Sequence, residues 1–246
     1  MSTRRESASC GRRCGARRAA IAADGVLLGA GLAAGLQAVT YPCWRAWCLT
    51  WGATPGEAAV ALPGDELLAE PAIVSTRAVR VDAPPSAIWP WLVQMGPGRG
   101  GACTYDWIEN LFGLGMHSAN EILPQFQDPK VGHAQQLGRR GPTLRTARLE
   151  PGEVLVLRSG DGNWVWAFML VPDGTGTRLI SRNRIATPGA PRLARALTRY
   201  VMEPGSLIME RRMLLGIKQR AEGAISEPKG RPHSKQHERR HPLRVM

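Results

Sequence analysis

The chain has 246 residues, of which 43% are hydrophobic and 21% charged, and its formal net charge is +12. This composition is ordinary for a globular protein and excludes a chain that is disordered throughout. The length predicts one domain of ordinary size with appendages. The five cysteines show neither the spacing nor the histidine partners of a zinc site, so no metal is predicted.

The positive charge is concentrated at the two ends of the chain. Residues 1–24 contain six arginines against Glu6 and Asp24, and residues 224–246 contain six basic residues against Glu227 and Glu238. Charged tails of this kind suit a membrane surface or a solubilising end better than a folded nucleic-acid interface. No recognition motif accompanies the charge, so nucleic acid is not a predicted partner.

The N-terminal region predicts a membrane-associated segment. After a basic, disordered leader at 1–18, the segment 19–40 is apolar apart from Asp24 and Gln37 and is long enough to span a bilayer as a helix. Aromatic residues follow it at the level of the membrane interface, namely Tyr41, Trp44, Trp47 and Trp51. A cleaved leader, a peripheral segment and a cytoplasmic protein remain alternatives. If the segment spans, the arginines place the N-terminus in the cytoplasm and membrane lipids become partners.

The remaining chain divides into a linker, one domain and a tail. Pro and Gly residues interrupt 41–72, which therefore predicts a linker without long elements. Residues 223–246 are basic and almost without apolar side chains, which predicts a disordered tail. The folded domain is expected at 73–222.

Within this domain the pattern predicts one strand, two short helices, several strands and a final helix. Ile73–Asp82 alternates as a strand, and Ala87–Met95 and Asp106–Phe112 are short amphipathic helices. Short alternating runs separated by turn signals then predict an antiparallel meander, at Gly132–Leu137, Leu144–Leu149, Val154–Arg158, Asn163–Val171 and Thr177–Ile185. In the fourth run Trp164, Trp166, Phe168 and Leu170 share one face and should point inward. From Pro191 to Glu222 the pattern is helical, with a kink or restart at Pro204-Gly205. The predicted fold class is α+β.

Several motifs resemble the SRPBCC (START-like, polyketide cyclase/dehydrase-type) families. They are Ile88-Trp89-Pro90-Trp91-Leu92-Val93-Gln94-Met95-Gly96, Gly98-Arg99-Gly100-Gly101, Tyr105-Asp106-Trp107-Ile108-Glu109-Asn110, Ile122-Leu123-Pro124 and Met209-Glu210-Arg211-Arg212-Met213-Leu214-Leu215-Gly216-Ile217. Trp51-Gly52-Ala53-Thr54 is similar to the lead-in of membrane-anchored bacterial members. The resemblance implies a helix-grip fold, in which a curved antiparallel sheet of about six or seven strands surrounds the long C-terminal helix. It also implies a cavity for an apolar small molecule, such as a lipid or polyketide-like compound, but no single activity.

The loop Gly96–Gly101 formally matches the glycine pattern of dinucleotide sites. It follows a helix, and no βαβ unit surrounds it, so we interpret it as a hinge or lid and predict no cofactor. Arg99 in this loop is a candidate for fixing a ligand's carboxylate or phenolate. Alternatively, it forms a salt bridge with Asp106 or Glu109.

Two further groups of polar residues were considered for chemistry. Tyr105, Asp106, Glu109 and His117 have acid/base potential, but helix capping and an ordinary polar surface explain them more simply, so no catalytic residue is assigned. Glu210 falls on an apolar arc of the last helix. It is expected either to form a structural ion pair, with Arg182 or Arg184 as partner, or to anchor a ligand inside the cavity.

The predicted ligand-binding residues are mainly apolar, comprising Trp89, Leu92, Arg99, Trp107, Trp166, Phe168, Met209, Glu210 and Met213. A membrane-tethered module that binds an apolar small molecule is the first hypothesis. A cyclase- or dehydratase-type enzyme using the same cavity is the alternative. An interaction protein whose interior is filled by its own side chains is the third.

Overall fold

The computed structural model describes residues 40–111, 113–138 and 141–226. The chain divides into two compact units, Met1–Leu49 and Thr50–Met246. Helix α1 covers residues 40–50, and Trp44 and Trp47 in its middle part are exposed. Nearly all of the predicted membrane segment 19–40 lies outside the described residues. Within the described part of the chain, no helix has both the length and the apolar character needed to cross a bilayer.

The second unit is built on one antiparallel sheet of six strands. The strands are β1 (Ile73–Val81), β2 (Ala134–Gln136), β3 (Thr143–Glu150), β4 (Val154–Ser159), β5 (Trp164–Asp173) and β6 (Gly176–Ile185). Their order in the sheet is β1-β6-β5-β4-β3-β2, and every neighbouring pair is antiparallel. The first strand therefore crosses over to pair with the last, while the other strands follow one another as a meander.

Five further helices accompany the sheet. They are α2 (Pro55–Ala59), α3 (Pro85–Val93), α4 (Asp106–Leu111), α5 (Arg192–Leu197) and α6 (Glu203–Ser226). The long C-terminal helix, α6, packs against α3 and β1. This is the α+β helix-grip arrangement predicted from the sequence, including the two short helices after the first strand.

The irregularity predicted near Pro204-Gly205 lies one turn earlier. Between α5 and α6, residues Thr198–Met202 form a π-helical turn. Pro204 has no N–H to donate to the carbonyl of the residue four positions before it. The preceding turn therefore widens, and the helix continues without a break.

The main core lies between the inner face of the sheet and α3 and α6. As predicted, Trp164, Trp166, Phe168 and Leu170 all face this side, because alternate residues of a strand share one face. Buried leucines of β3, β4 and β6, together with Val81 of β1, complete the sheet side of the core. Its helix side is formed by Ile88, Trp91, Leu92, Met213, Leu214 and Ile217.

The outer face of the sheet has a second apolar cluster, and the predicted linker covers it. Side chains of β1, β4, β5 and β6 form the cluster, and Ala53, Leu62, Leu67 and Leu68 pack against it. We call residues 52–72 the strap. The compact unit thus begins before the domain boundary expected at 73, because the outward-facing apolar residues of the sheet require a cover.

Arginines of β6 hold the strap in place. Arg178 forms an ion pair with Glu57 at 2.7 Å, and Arg182 forms one with Asp65 at 2.7 Å. Arg184 reaches Asp65 at 3.4 Å and donates a hydrogen bond to a strap carbonyl. These three even-numbered residues all face outward, away from α6.

Candidate functional site

A buried ion pair joins the sheet to the C-terminal helix. The guanidinium of Arg77 on β1 donates from Nη1 to Oε2 of Glu210 on α6, and both side chains are buried. The prediction that Glu210 pairs with Arg182 or Arg184 is therefore wrong. Those arginines lie on the outer face of the sheet, whereas Arg77 lies on the inner face opposite Glu210.

Hydrogen bonds from β6 complete the surroundings of this carboxylate. Ser181 donates its hydroxyl to Glu210 Oε1 at 2.5 Å, and Asn183 donates its amide to both carboxylate oxygens at 3.2 Å. Burial raises the pKa of Glu210, and the positive charge of Arg77 and the Ser181 hydroxyl oppose that rise. The satisfied network indicates a structural role for Glu210.

Two indole rings extend the network toward the end of the sheet. Trp164 donates from Nε1 to Asn183 Oδ1 at 2.8 Å, and Trp166 donates to Ser181 Oγ at 2.9 Å. The rings are stacked with centroids 5.6 Å apart, and both side chains are half-buried. The hydrogen bonds fix the orientation of both indole rings. The exposed parts of the two rings therefore have a fixed orientation.

A small cleft lies between α3, the Gly96–Gly101 loop and strands β2 to β4. Its walls are mostly apolar, but three polar residues and Arg99 also face it. The lining consists of Leu92, Val93, Met95, Arg99, Pro129, His133, Gln135, Leu144, Thr146, Leu155 and Leu157. The cleft has a volume of about 30 Å³, far below the roughly 300 Å³ typical of a site that encloses a drug-sized ligand.

Arg99 is the one charged side chain of this lining. Its Nη2 donates to the carbonyl of Val93 at 2.8 Å, and its guanidinium lies 4.2 Å from the ring centre of Phe126. Its Nη1 lies 3.2 Å from His133 Nε2. Because a guanidinium only donates, His133 Nε2 is the acceptor in this contact. The predicted alternative, a salt bridge from Arg99 to Asp106 or Glu109, does not form.

Burial leaves the charge of Arg99 incompletely compensated. Its Nε atom is buried without a hydrogen-bond partner, and burial lowers the pKa of the guanidinium. The cleft lining contains no carboxylate. A desolvated cation in this setting favours an anion at the cleft.

The glycine-rich loop positions Arg99 through its own backbone bonds. Gly96 and Gly101 exchange two backbone hydrogen bonds, at 2.9 and 3.2 Å, so the chain reverses direction around Arg99. The Gly100 carbonyl accepts from the amide of Ala119 at 3.1 Å. Gln94 is buried beneath the loop and bonds Glu121 and Leu123. The loop is therefore closed on itself and fastened to the following segment.

The residues considered for acid/base chemistry do not converge. Asp106 accepts two hydrogen bonds from Ser118, at 2.6 and 2.7 Å, and His117 is exposed. Glu109 is buried, with its Oε2 lacking a hydrogen-bond partner, and burial raises its pKa. Among the described residues, no group of three or more His, Cys, Asp or Glu side chains comes together as a metal site.

The predicted ligand-binding residues occupy different environments. Leu92, Phe168 and Met213 are fully buried in the main core. Trp89, Trp166 and Met209 are half-buried, whereas the Trp107 side chain is 70% exposed and contributes to no cleft wall. Of the predicted set, Leu92 and Arg99 line the cleft.

Sequence reasoning missed the cleft residues of the meander. His133, Gln135 and Thr146 reach the cleft because β2 pairs with β3, with Gln135 opposite Leu144. Leu144 and Thr146 are two positions apart on β3, so they share its inward face, and this spacing was the signal available in the sequence. The predicted meander already paired β2 with β3, but no signal in the sequence placed the Gly96–Gly101 loop against β2, where Gln135 approaches Gly96.

The chain resembles known proteins in its structure rather than in its sequence. No protein-family model matches the chain, and no curated protein matches it by sequence. A polyketide cyclase-like protein of Corynebacterium glutamicum is 14% identical, with 67% of this chain and 96% of that chain covered and a TM-score of 0.35. An AHSA1-like protein of Aeromonas hydrophila is 17% identical, with coverages of 65% and 100% and a TM-score of 0.36. A protein of Mesorhizobium loti is also 17% identical, with coverages of 63% and 100% and a TM-score of 0.38. At such identities the similarity is one of fold alone.

Proposed function

We propose that this chain binds an apolar small molecule, lipid or polyketide-like, whose acidic group lies against Arg99 at the cleft. The observation that carries the proposal is the combination of apolar walls with one half-buried guanidinium that has no carboxylate partner. Apolar surface supplies affinity, and a single charged group fixes orientation. A carboxylate or phenolate satisfies the fork geometry of an arginine better than a neutral group does.

The size of the cleft sets a condition on this binding. At about 30 Å³ it holds little more than an acidic group, so a larger ligand requires its walls to move. Met95 at the wall is unbranched and adapts its shape at low cost. The leucines behind it belong to the main core, so widening the cleft extends an apolar channel into the grip between sheet and helix.

An enzymatic role is the second candidate, and Glu109 is the observation that favours it. Buried carboxyl groups with raised pKa values are typical of general acids. The Glu109 carboxyl has both properties, which suits a cyclase- or dehydratase-type reaction. It does not line the cleft, however, so ligand binding remains the preferred function.

A membrane tether is also proposed, with residues 19–40 as the anchor and membrane lipids as its surroundings. The apolar composition of this segment supports it, as do the exposed tryptophans of α1. Full-length protein should then stay with membranes during carbonate extraction, while a chain shortened to begin at Trp51 should be released. Release of both would contradict the tether.

The ligand proposal is tested by native mass spectrometry and matched ligand pairs. The purified chain should carry a co-purifying mass, and a long-chain fatty acid should bind more tightly than the corresponding alcohol. Arg99→Gln should weaken binding of the acid by roughly tenfold to a hundredfold, the value of a hydrogen bond to a charged group. It should leave binding of the alcohol unchanged.

The control is Arg145→Gln, which removes an exposed arginine on the outward side of β3. It should leave the preference for the acid intact. Equal affinity for acid and alcohol in the unmodified chain would contradict the role of Arg99. Absence of binding for both would contradict the proposed function itself.

A further inference from the structure

The helical segment 192–202 lies on the surface with almost no cover. None of the residues of α5 or of the following π-turn is buried. Five of them are large apolar residues that are more than half exposed, namely Leu193, Leu197, Tyr200, Val201 and Met202. Large apolar side chains that are exposed together in one short segment mark an interaction surface.

Three of these apolar residues are arranged along one side of the helix. Leu193, Leu197 and Tyr200 are separated by four and three positions, the spacing that places side chains in one row. Arg192, Arg195 and Arg199 follow a second row with the same kind of spacing. The segment is therefore amphipathic, with a basic row beside its apolar row.

No acidic residue interrupts this arrangement. From Ala186 to Met202 the sequence contains three arginines and neither Asp nor Glu. Arg192 and Arg195 are both exposed. The surface therefore presents positive charge and apolar side chains together.

From this surface we infer that segment 192–202 lies in the interface of an anionic lipid bilayer. The apolar row enters the boundary between head groups and acyl chains, and the arginines contact anionic head groups. This contact is separate from the N-terminal anchor and from the cleft, and it rests on neither. It would hold one end of the helix-grip domain against the membrane surface.

The charge of segment 192–202 favours an anionic bilayer over a second copy of the chain as its partner. Pairing two copies through their apolar rows brings Arg192 and Arg195 of both copies together, and residues 186–202 contain no acidic residue to offset them. Like charges in contact are unfavourable. An anionic bilayer satisfies both rows at once. Neutral lipid satisfies only the apolar row.

Hydrogen exchange of the full-length chain, read for the amides of 192–202, tests the inference locally. Phosphatidylglycerol-containing vesicles should slow exchange in this segment, whereas vesicles of phosphatidylcholine alone should not. Arg192→Gln with Arg195→Gln should weaken the effect of anionic vesicles by about 25-fold, since each arginine near such a surface contributes about fivefold. Leu193→Ser with Leu197→Ser should abolish it.

A matched control removes the same charge elsewhere. Arg145→Gln with Arg158→Gln changes two exposed residues of the sheet and should leave the protection unchanged. Thermal melts should show that all variants fold, since none of the substituted side chains is buried. The inference would be overturned if phosphatidylglycerol-containing vesicles protected the amides of 192–202 no more than neutral vesicles or buffer alone. It would also be overturned if they protected the Arg192→Gln, Arg195→Gln variant as strongly as the unmodified chain.

Discussion

Arg77 and Glu210 lie 133 residues apart in sequence and form a buried ion pair between the first strand and the last helix. Arg77 also donates to Ser206 at 3.0 Å, so a single guanidinium contacts two successive turns of α6. The carboxylate in turn accepts hydrogen bonds from Ser181 and Asn183 of β6. One polar network therefore fixes the position of the helix against two neighbouring strands.

Breaking this pair on one side should be strongly destabilising. Glu210→Gln removes the carboxylate charge that lies against the buried Arg77 guanidinium, and we expect a loss of about 3–5 kcal/mol in the free energy of unfolding. Replacing both residues, as Arg77→Met with Glu210→Leu, should recover part of that loss. Denaturant melts of Arg77→Met, of Glu210→Leu and of the double variant measure the coupling between the two residues. A midpoint unchanged in Glu210→Gln would contradict a buried, charged pair.

The strap should be sensitive to acid through Glu57. The Arg178 guanidinium lowers the pKa of Glu57 from 4.5 to about 2, so the folded state binds this proton less readily than the unfolded state. The resulting stability is present above pH 4.5 and is lost as the pH falls toward 2. Glu57→Gln should cost about 1–2 kcal/mol at neutral pH, a value reduced because the pair is partly solvated.

Urea midpoints between pH 2 and 7 measure this contribution. Glu57→Gln should show a smaller loss of stability across the acid range than the unmodified chain. Glu153→Gln, at an exposed turn residue, is the control. It should lose stability between pH 7 and pH 2 to the same extent as the unmodified chain. Parallel curves for Glu57→Gln and the unmodified chain would refute the role of this pair.

Glu109 should have the opposite pH dependence. Burial raises its pKa, so the folded state binds the proton more readily than the unfolded state. Stability is therefore lost as the pH rises from the unfolded value through the raised pKa. Glu109→Gln should increase stability at neutral pH by about 1–2 kcal/mol, because an incompletely bonded charge is replaced by a neutral group.

Asp106→Asn provides a comparison within the same helix. Its carboxylate bonds both the amide and the hydroxyl of Ser118, so this substitution should destabilise the protein. Thermal melts at pH 5 and pH 8 distinguish the two carboxyl groups. Destabilisation by Glu109→Gln at pH 8 would show that this carboxylate has a favourable partner.

The loop that carries Arg99 should tolerate a side chain at one glycine and not at another. Both Gly98 and Gly101 have positive φ angles, 67° and 64°. A Cβ at Gly101 would lie 2.7 Å from backbone atoms of His117 and Ser118, whereas a Cβ at Gly98 meets nothing. Gly98→Ala should therefore cost about 1 kcal/mol, from backbone strain alone.

Gly101→Ala should cost clearly more than Gly98→Ala, because it must also displace the segment at 117–118. Differential scanning calorimetry compares the two variants. Similar melting temperatures would mean that the loop is not fastened to that segment.

Patterns along the chain were enough to predict the local elements of the fold. Alternation in β5 fixes the inward face of Trp164, Trp166, Phe168 and Leu170, and turn residues mark the ends of the strands, because both signals depend on neighbours along the chain. The helical spacing of the last segment likewise predicted α6 and the burial of Glu210. These are the features on which the helix-grip prediction depended.

Contacts between residues far apart in the chain, by contrast, follow from how the strands and helices are assembled. The partner of Glu210 is Arg77, because β1 crosses over to pair with β6 and places Arg77 opposite Ser181. The strap covers the outer face because β6 exposes its even-numbered arginines there. Arg99 reaches His133 because β2 pairs at the far edge of the sheet. Each of these contacts depends on strand order, which local periodicity does not encode.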